Sequence, residues 1–139
     1  VNATVGRRDF DRDYGGASSV RTARVDVTQW MDAHGADHDA AQRAILIVSE
    51  LASNAVQASP ATIYHVHLST LDRSTLDICV SNRRPDDRSR PPESLGPVAP
   101  LAPMGRGLSI VESLSRAISI EVTDDEVHVS AICPVHTLN

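Results

Sequence analysis

Residues 45–55 read ILIVSELASNA and residues 104–111 read MGRGLSIV, and these two runs decide how the rest of the chain is read. In the first, Glu50 and Asn54 stand four residues apart in a strongly helical stretch, so a carboxylate and an amide share one side of a helix. In the second, Gly105 and Gly107 flank Arg106 just before a helical pattern. Free backbone N–H groups and a guanidinium at a helix start suit an anion.

Working outward from Glu50, the helix extends from Asp39, with Gln42 as its capping-box partner, to about Ala58, where Ser59-Pro60 ends it. At 100° per residue, Ile45, Val48, Leu51, Ala52, Ala55 and Val56 form one apolar face. Glu50 and Asn54 are expected to point nearly the other way. Leu46 and Ile47 make that side partly apolar as well, as though it too were covered, and a covered Glu or Asn needs partners. An isolated Glu and Asn pair is otherwise what any surface helix shows.

Upstream, Val20, Ala23, Val27, Trp30 and Met31 recur at helical spacing over residues 18–34, with Gly35 as the stop, and a first strand is expected around Phe10. Downstream, residues 62–71 alternate, with Tyr64, Val66 and Leu68 on one face and His65 and His67 on the other. Asp72-Arg73-Ser74 forms the turn, and Leu76, Ile78 and Val80 return toward Ser81-Asn82. Residues 83–104 hold six of the eight prolines without any hydrophobic period, a loop long enough to act as a lid. Leu108, Val111 and Leu114 give a short helix. Ile118, Ile120 and Val122 then pair with Val127, Val129 and Ala131 across Asp124-Asp125-Glu126. The order helix, helix, hairpin, lid, helix, hairpin predicts an α/β (α+β) two-layer sandwich over residues 1–139 as a single domain. Its antiparallel or mixed sheet would be covered by helices on one face.

At 139 residues and 41% apolar content the chain can bury one core. A net charge of -5 argues against direct nucleic-acid binding and against an anionic membrane. No apolar run approaches a membrane span and no export signal opens the sequence, so a cytoplasmic location is expected. Two cysteines, Cys79 and Cys133, sit in apolar strand-like runs, where thiols are more often buried hydrophobes than a bridge. All 13 basic residues are arginine, which excludes a P-loop lysine or a Schiff-base lysine. His65 and His67 face one way on a strand, and Cys133 lies near His136, but neither pair has a third ligand at suitable spacing for a metal.

The two runs, in order and separated by a hairpin and a lid-length loop, resemble the asparagine and glycine boxes of the GHKL (histidine-kinase-like) ATPase superfamily. Within it the chain is most similar to the RsbW-like anti-sigma factors that act as serine kinases. Val20, Arg21, Ala23 and Arg24 resemble that group's first helix; Ser49-Glu50-Leu51 with Asn54-Ala55 resembles the first box; Gly105-Arg106-Gly107-Leu108 with Ile110-Val111 resembles the second. The resemblance implies a Bergerat-type sheet, ATP and Mg2+ as ligands, Glu50 as general base and Asn54 as magnesium ligand. It further implies that Gly105, Arg106, Gly107 and Leu108 lie at the phosphates. The partners it implies are a sigma factor and an anti-anti-sigma protein offering a serine or threonine, with a homodimer built on the exposed side of the first helix.

The sequence departs from the family pattern at several positions. Asn82-Arg83-Arg84 stands where Asp-x-Gly would hold adenine. Asn82 can still accept from the adenine amino group, without charge assistance. Ala58 replaces a frequent histidine, and Asp124-Asp125-Glu126 puts three acids where the family has glycine and threonine or lysine. Two readings follow: an ATP-dependent serine kinase of the anti-sigma type, or a protein-binding module that keeps the fold with weak or no nucleotide binding.

Overall fold

Strand alternation and helix periodicity meet in a computed structural model that describes residues 9–58, 63–72, 74–83 and 105–135. The elements in chain order are β1 (Asp9–Gly15), α1 (Ser19–Ala33), α2 (His38–Ala58), β2 (Ile63–Asp72), β3 (Thr75–Arg83), α3 (Gly105–Leu114), β4 (Ala117–Val122) and β5 (Glu126–Pro134). All strand pairs are antiparallel, in the order β1-β2-β3-β5-β4. β5 therefore lies between β3 and β4, so the sheet is mixed in connection but antiparallel in direction. The expected α+β sandwich is the observed fold.

The register explains the core. Phe10, Leu68, Ile78, Ala131 and Ile118 form one row straight across the five strands. Next to it run Val66, Val80, Val129 and Ile120, and then Tyr14, Tyr64, Asn82, Val127 and Val122. Because side chains alternate between faces, these rows share one side. Their central members are buried, as are Ala23, Val27 and Met31 of α1, Ile47, Val48, Leu51 and Ala52 of α2, and Val111 of α3. The hairpin pairings expected for Ile118, Ile120 and Val122 are those found. The other side presents His65, His67, Cys79, Ser81, His128 and Ser130. The two cysteines are free and on opposite faces, Cys133 sealed in the core and Cys79 half-buried outside it.

Local chemistry sets the element ends. Gly35 takes φ 74°, and the N–H groups of Gly35 and Ala36 return to the carbonyls of Asp32 and Met31, a Schellman close to α1. The cap of α2 differs from the expected Asp39 and Gln42 box: the helix starts at His38, and the carboxylate of Asp37 accepts from the Ala40 N–H at 3.3 Å. Two residues earlier is the better cap, because only the residue just outside the helix can turn its side chain back on the third N–H. The β2–β3 turn is held by Asp72, whose Oδ1 accepts from both the Ser74 N–H (2.7 Å) and its hydroxyl (2.9 Å). Those two bonds keep the Asp72 carboxyl below its ordinary range. Arg43 ties α2 to the end of β5 through the Pro134 carbonyl at 3.1 Å. Among the described residues, no helix is long and apolar enough to cross a membrane.

The register makes a stability test simple. Leu68 is fully buried and Leu71, three positions on, is 56% exposed. Leu68→Ala should cost about 2–5 kcal/mol in chemical denaturation and Leu71→Ala about 0.5 kcal/mol or less. Equal costs would contradict the register.

Candidate functional site

Helix α2 carries the first group of candidate residues and packs against α1, α3 and the sheet together. Its buried positions, Ala40, Ala41, Ala44, Ile47, Val48, Leu51, Ala52, Asn54 and Ala55, wrap well past the single face read from periodicity. Asn54 is thus not on an outward side, as a helical projection suggests. It is 3% exposed, in line with Ile47 and Leu51, and only Leu46 of the expected covered pair is open. The correction has a physical reason: a helix gripped on three sides buries more than the stripe that a two-layer packing would need.

Both polar atoms of the Asn54 side chain, Oδ1 and Nδ2, are buried without a hydrogen-bond partner among the described residues. An amide left so costs about 1–3 kcal/mol, and natural proteins keep such groups mainly where something else engages them. One turn earlier, Glu50 is half-buried and makes no hydrogen bond or ion pair among the described residues. A carboxylate and an orphaned amide therefore sit 40° apart around one helix, a separation that follows from a 100° step.

Asn82 closes β3 on the helix-facing side, between Tyr64 and Val127. It is buried, and its Nδ2 donates to the Arg83 carbonyl at 3.2 Å. That bond uses one of the two N–H groups of the amide and leaves Oδ1 as an acceptor. At the same sheet end, Arg83 pairs in register with Glu126, so the acidic β4–β5 turn stands next to Asn82. The turn is ordered by Thr123, whose Oγ1 accepts from the N–H groups of Asp125 and Glu126.

Gly105, Arg106, Gly107 and Leu108 form the first turn of α3, which packs along α2. No acidic residue stands in that turn, so the helix dipole there meets no built-in counter-charge. The fold thus gathers around α2 the three elements that carry the candidate residues. Arg84 and residues 85–104, the rest of the expected lid, lie outside the described residues, as do His136 and the Ser59-Pro60 stop.

A further polar network around the start of α1 has no linear motif. The Tyr64 and Ser19 hydroxyls share a hydrogen bond at 2.8 Å, and Ser19 also donates to the Gly16 carbonyl. Tyr14 stacks on Tyr64 with ring centroids 5.8 Å apart and donates to Asp26 at 2.7 Å. Arg12 reaches the same carboxylate at 3.1 Å. Burial pushes the Tyr64 hydroxyl up from its ordinary range, with the Ser19 bond acting the other way, and burial together with Asp26 does the same more strongly to Tyr14. A buried tyrosine needs a partner for its hydroxyl, and that need was the one signal in the sequence. Above this network, Arg21, Arg24, Val25 and Thr28 of α1 face Gln42 and Ile45 of α2 across an open groove.

With this geometry in place, comparison with known proteins gives the class. The histidine kinase-like ATPase domain profile matches residues 16–133, and the chain belongs to that family. No curated protein matches it closely in sequence. Among solved structures it is similar to a chain holding the RsbU and RsbW domains of Rv1364c from Mycobacterium tuberculosis. The TM-score is 0.64 at 15% identity, over 95% of this chain and 35% of that one. The chain therefore spans about a third of the length of that protein, and the likeness is one of fold.

The orphaned amide yields a test that needs no ligand. Asn54→Leu, which fills similar space without polar atoms, should raise the stability of the nucleotide-free protein by about 1 kcal/mol or more, read from its denaturation midpoint. A loss of stability would mean that the Asn54 amide is satisfied.

Proposed function

We propose that this chain is an ATP-binding regulatory domain of the RsbW type, a serine-protein kinase that phosphorylates an anti-anti-sigma partner and competes for a sigma factor. The observation that carries this reading is Asn54: a buried amide that, among the described residues, has no partner and lies one turn beyond an unpaired carboxylate. An amide oxygen is a suitable hard donor for Mg2+, and the residues present fit that ion. Bound Mg2+ would offset charge on the phosphate oxygens.

The chain's own groups would do the rest. Asn54 holds the ion, and Glu50 takes the proton from the attacking serine or threonine hydroxyl. Backbone N–H groups of Gly105, Gly107 and Leu108 bind phosphate oxygens at the start of α3, and Arg106 adds charge. Asn82 Oδ1 accepts from the adenine amino group while Arg83 keeps its Nδ2 occupied. The neutral acceptor gives up about 1 kcal/mol relative to an aspartate, nearly tenfold in affinity.

One observation favours a second reading, a module of this fold that binds partners with little or no nucleotide. The adenine end offers a neutral Asn82 beside an acidic turn that repels a triphosphate. Calorimetric titration with ATP and ADP, with and without Mg2+, separates the two. The kinase reading expects Mg2+-dependent binding that Asn54→Ala abolishes, and phosphotransfer that Glu50→Ala reduces by at least a hundredfold with binding retained. A folded protein that binds no nucleotide at millimolar concentration would leave the second reading.

A further inference from the structure

The face of the sheet turned away from the helices carries an ionic ladder that the proposed site does not use. β1 reads Asp9, Asp11, Asp13 on that face, and β2 sets His65 and His67 directly beside it, with Asp13 opposite His65 and Asp11 opposite His67. His65 is engaged on both ring nitrogens: Nδ1 meets Asp13 at 2.5 Å and Nε2 meets Asp11. His67 Nε2 stands 3.6 Å from Asp9. These pairs add side-chain links to the backbone pairing that already joins the edge strand to β2.

A neutral imidazole has one N–H and one lone pair, so it can satisfy only one carboxylate; the other nitrogen would face a carboxylate oxygen lone pair to lone pair. Both contacts of His65 are favourable only in the imidazolium form, when each becomes a charge-assisted hydrogen bond. We propose that β1 is fastened by a proton-operated clasp, closed when His65 and His67 are protonated and loosened when they are neutral.

The sign follows from the groups present. The clasp is closed while the imidazoles carry a proton, opens as rising pH removes it, and opens again in acid once the aspartates lose their charge. The other groups on this face are Asp77, Cys79, Ser81 and Arg83 of β3, with His128 and Glu126 of β5 beyond them. Of these, Asp77 interacts with His67, and burial pushes its carboxyl up despite that contact. His128 is paired with Glu126 at 2.9 Å. On the helix side, Arg12 is engaged by Asp26. A metal does not explain the cluster: among the described residues no group of three or more His, Cys, Asp or Glu side chains is placed to hold one.

What the clasp holds matters, since β1 runs through Gly15 and Gly16 into α1 and carries Tyr14, which stacks on Tyr64. Releasing β1 would loosen the start of α1 and expose the edge of β2.

Amide hydrogen exchange on β1, followed by NMR and corrected for intrinsic rates, tests the clasp. In the wild-type protein, protection at residues 11–14 should fall about fivefold between pH 5.5 and pH 8.0, while protection in β3 stays constant. His65→Gln should give the lower protection at both pH values, and Asp11→Asn with Asp13→Asn should do the same while leaving the histidines in place. All these side chains are substantially exposed, and the β3 amides report in the same spectra that each variant is folded. Protection in β1 that is independent of pH in the wild type would overturn the proposal, as would an unchanged pH dependence in His65→Gln.

Discussion

Everything in this molecule hangs on the seating of α2. The helix lies between two others and over the middle of an antiparallel sheet, so most of its circumference must be apolar or small. Alanines at positions 40, 41, 44, 52 and 55 let neighbours approach closely, while Ile47, Val48 and Leu51 fill the space toward the strands. One polar residue enters this buried surface. Among the described residues Asn54 is held there by the packing of its neighbours rather than by any side-chain hydrogen bond, and the unfavourable burial of its amide is offset by the apolar contacts on either side.

The same seating explains why the elements bearing Glu50, Asn82 and Gly105 converge. β3 is the central strand, flanked by β2 and β5, and it ends under α2. The chain then leaves the sheet, returns as α3 against the other flank of α2, and adds β4 and β5 with β5 slotted beside β3. A simple meander would have placed β4 next to β3 instead. Insertion of β5 sets the acidic β4–β5 turn at the end of β3, beside Asn82, so the unusual residues of the chain are neighbours in space although more than forty positions apart in sequence.

Much of this was legible in the residues alone, for definite reasons. Alternation in 63–72 and 75–83 identifies the buried face because only one side of the sheet is covered, and the β4–β5 pairing follows from a short turn between two alternating runs. The burial of Asn54 was not legible, since a helical projection weighs only one helix and cannot count its neighbours. The choice of Asp37 over Asp39 as the cap turns on two residues, the scale at which helix ends are hardest to place. The pairing of the β1 aspartates with histidines was not legible, because Asp13 and His65 lie 52 residues apart and meet only once β1 has docked on β2.

The sheet also divides the chain's two thiols. Cys133 faces the helices and is sealed, and Cys79 faces outward beside Ser130, each disfavoured as a thiolate by burial. A β-sheet is impermeable to side-chain chemistry, so the two sulfurs cannot meet in the folded state whatever the redox conditions. Of the two thiols, Cys79 is then the one that an electrophile or a label could reach in the native protein, and it lies on the face that also carries His65, His67 and His128. A reporter attached there would watch the β1 side of the molecule from the face of the sheet turned away from α2.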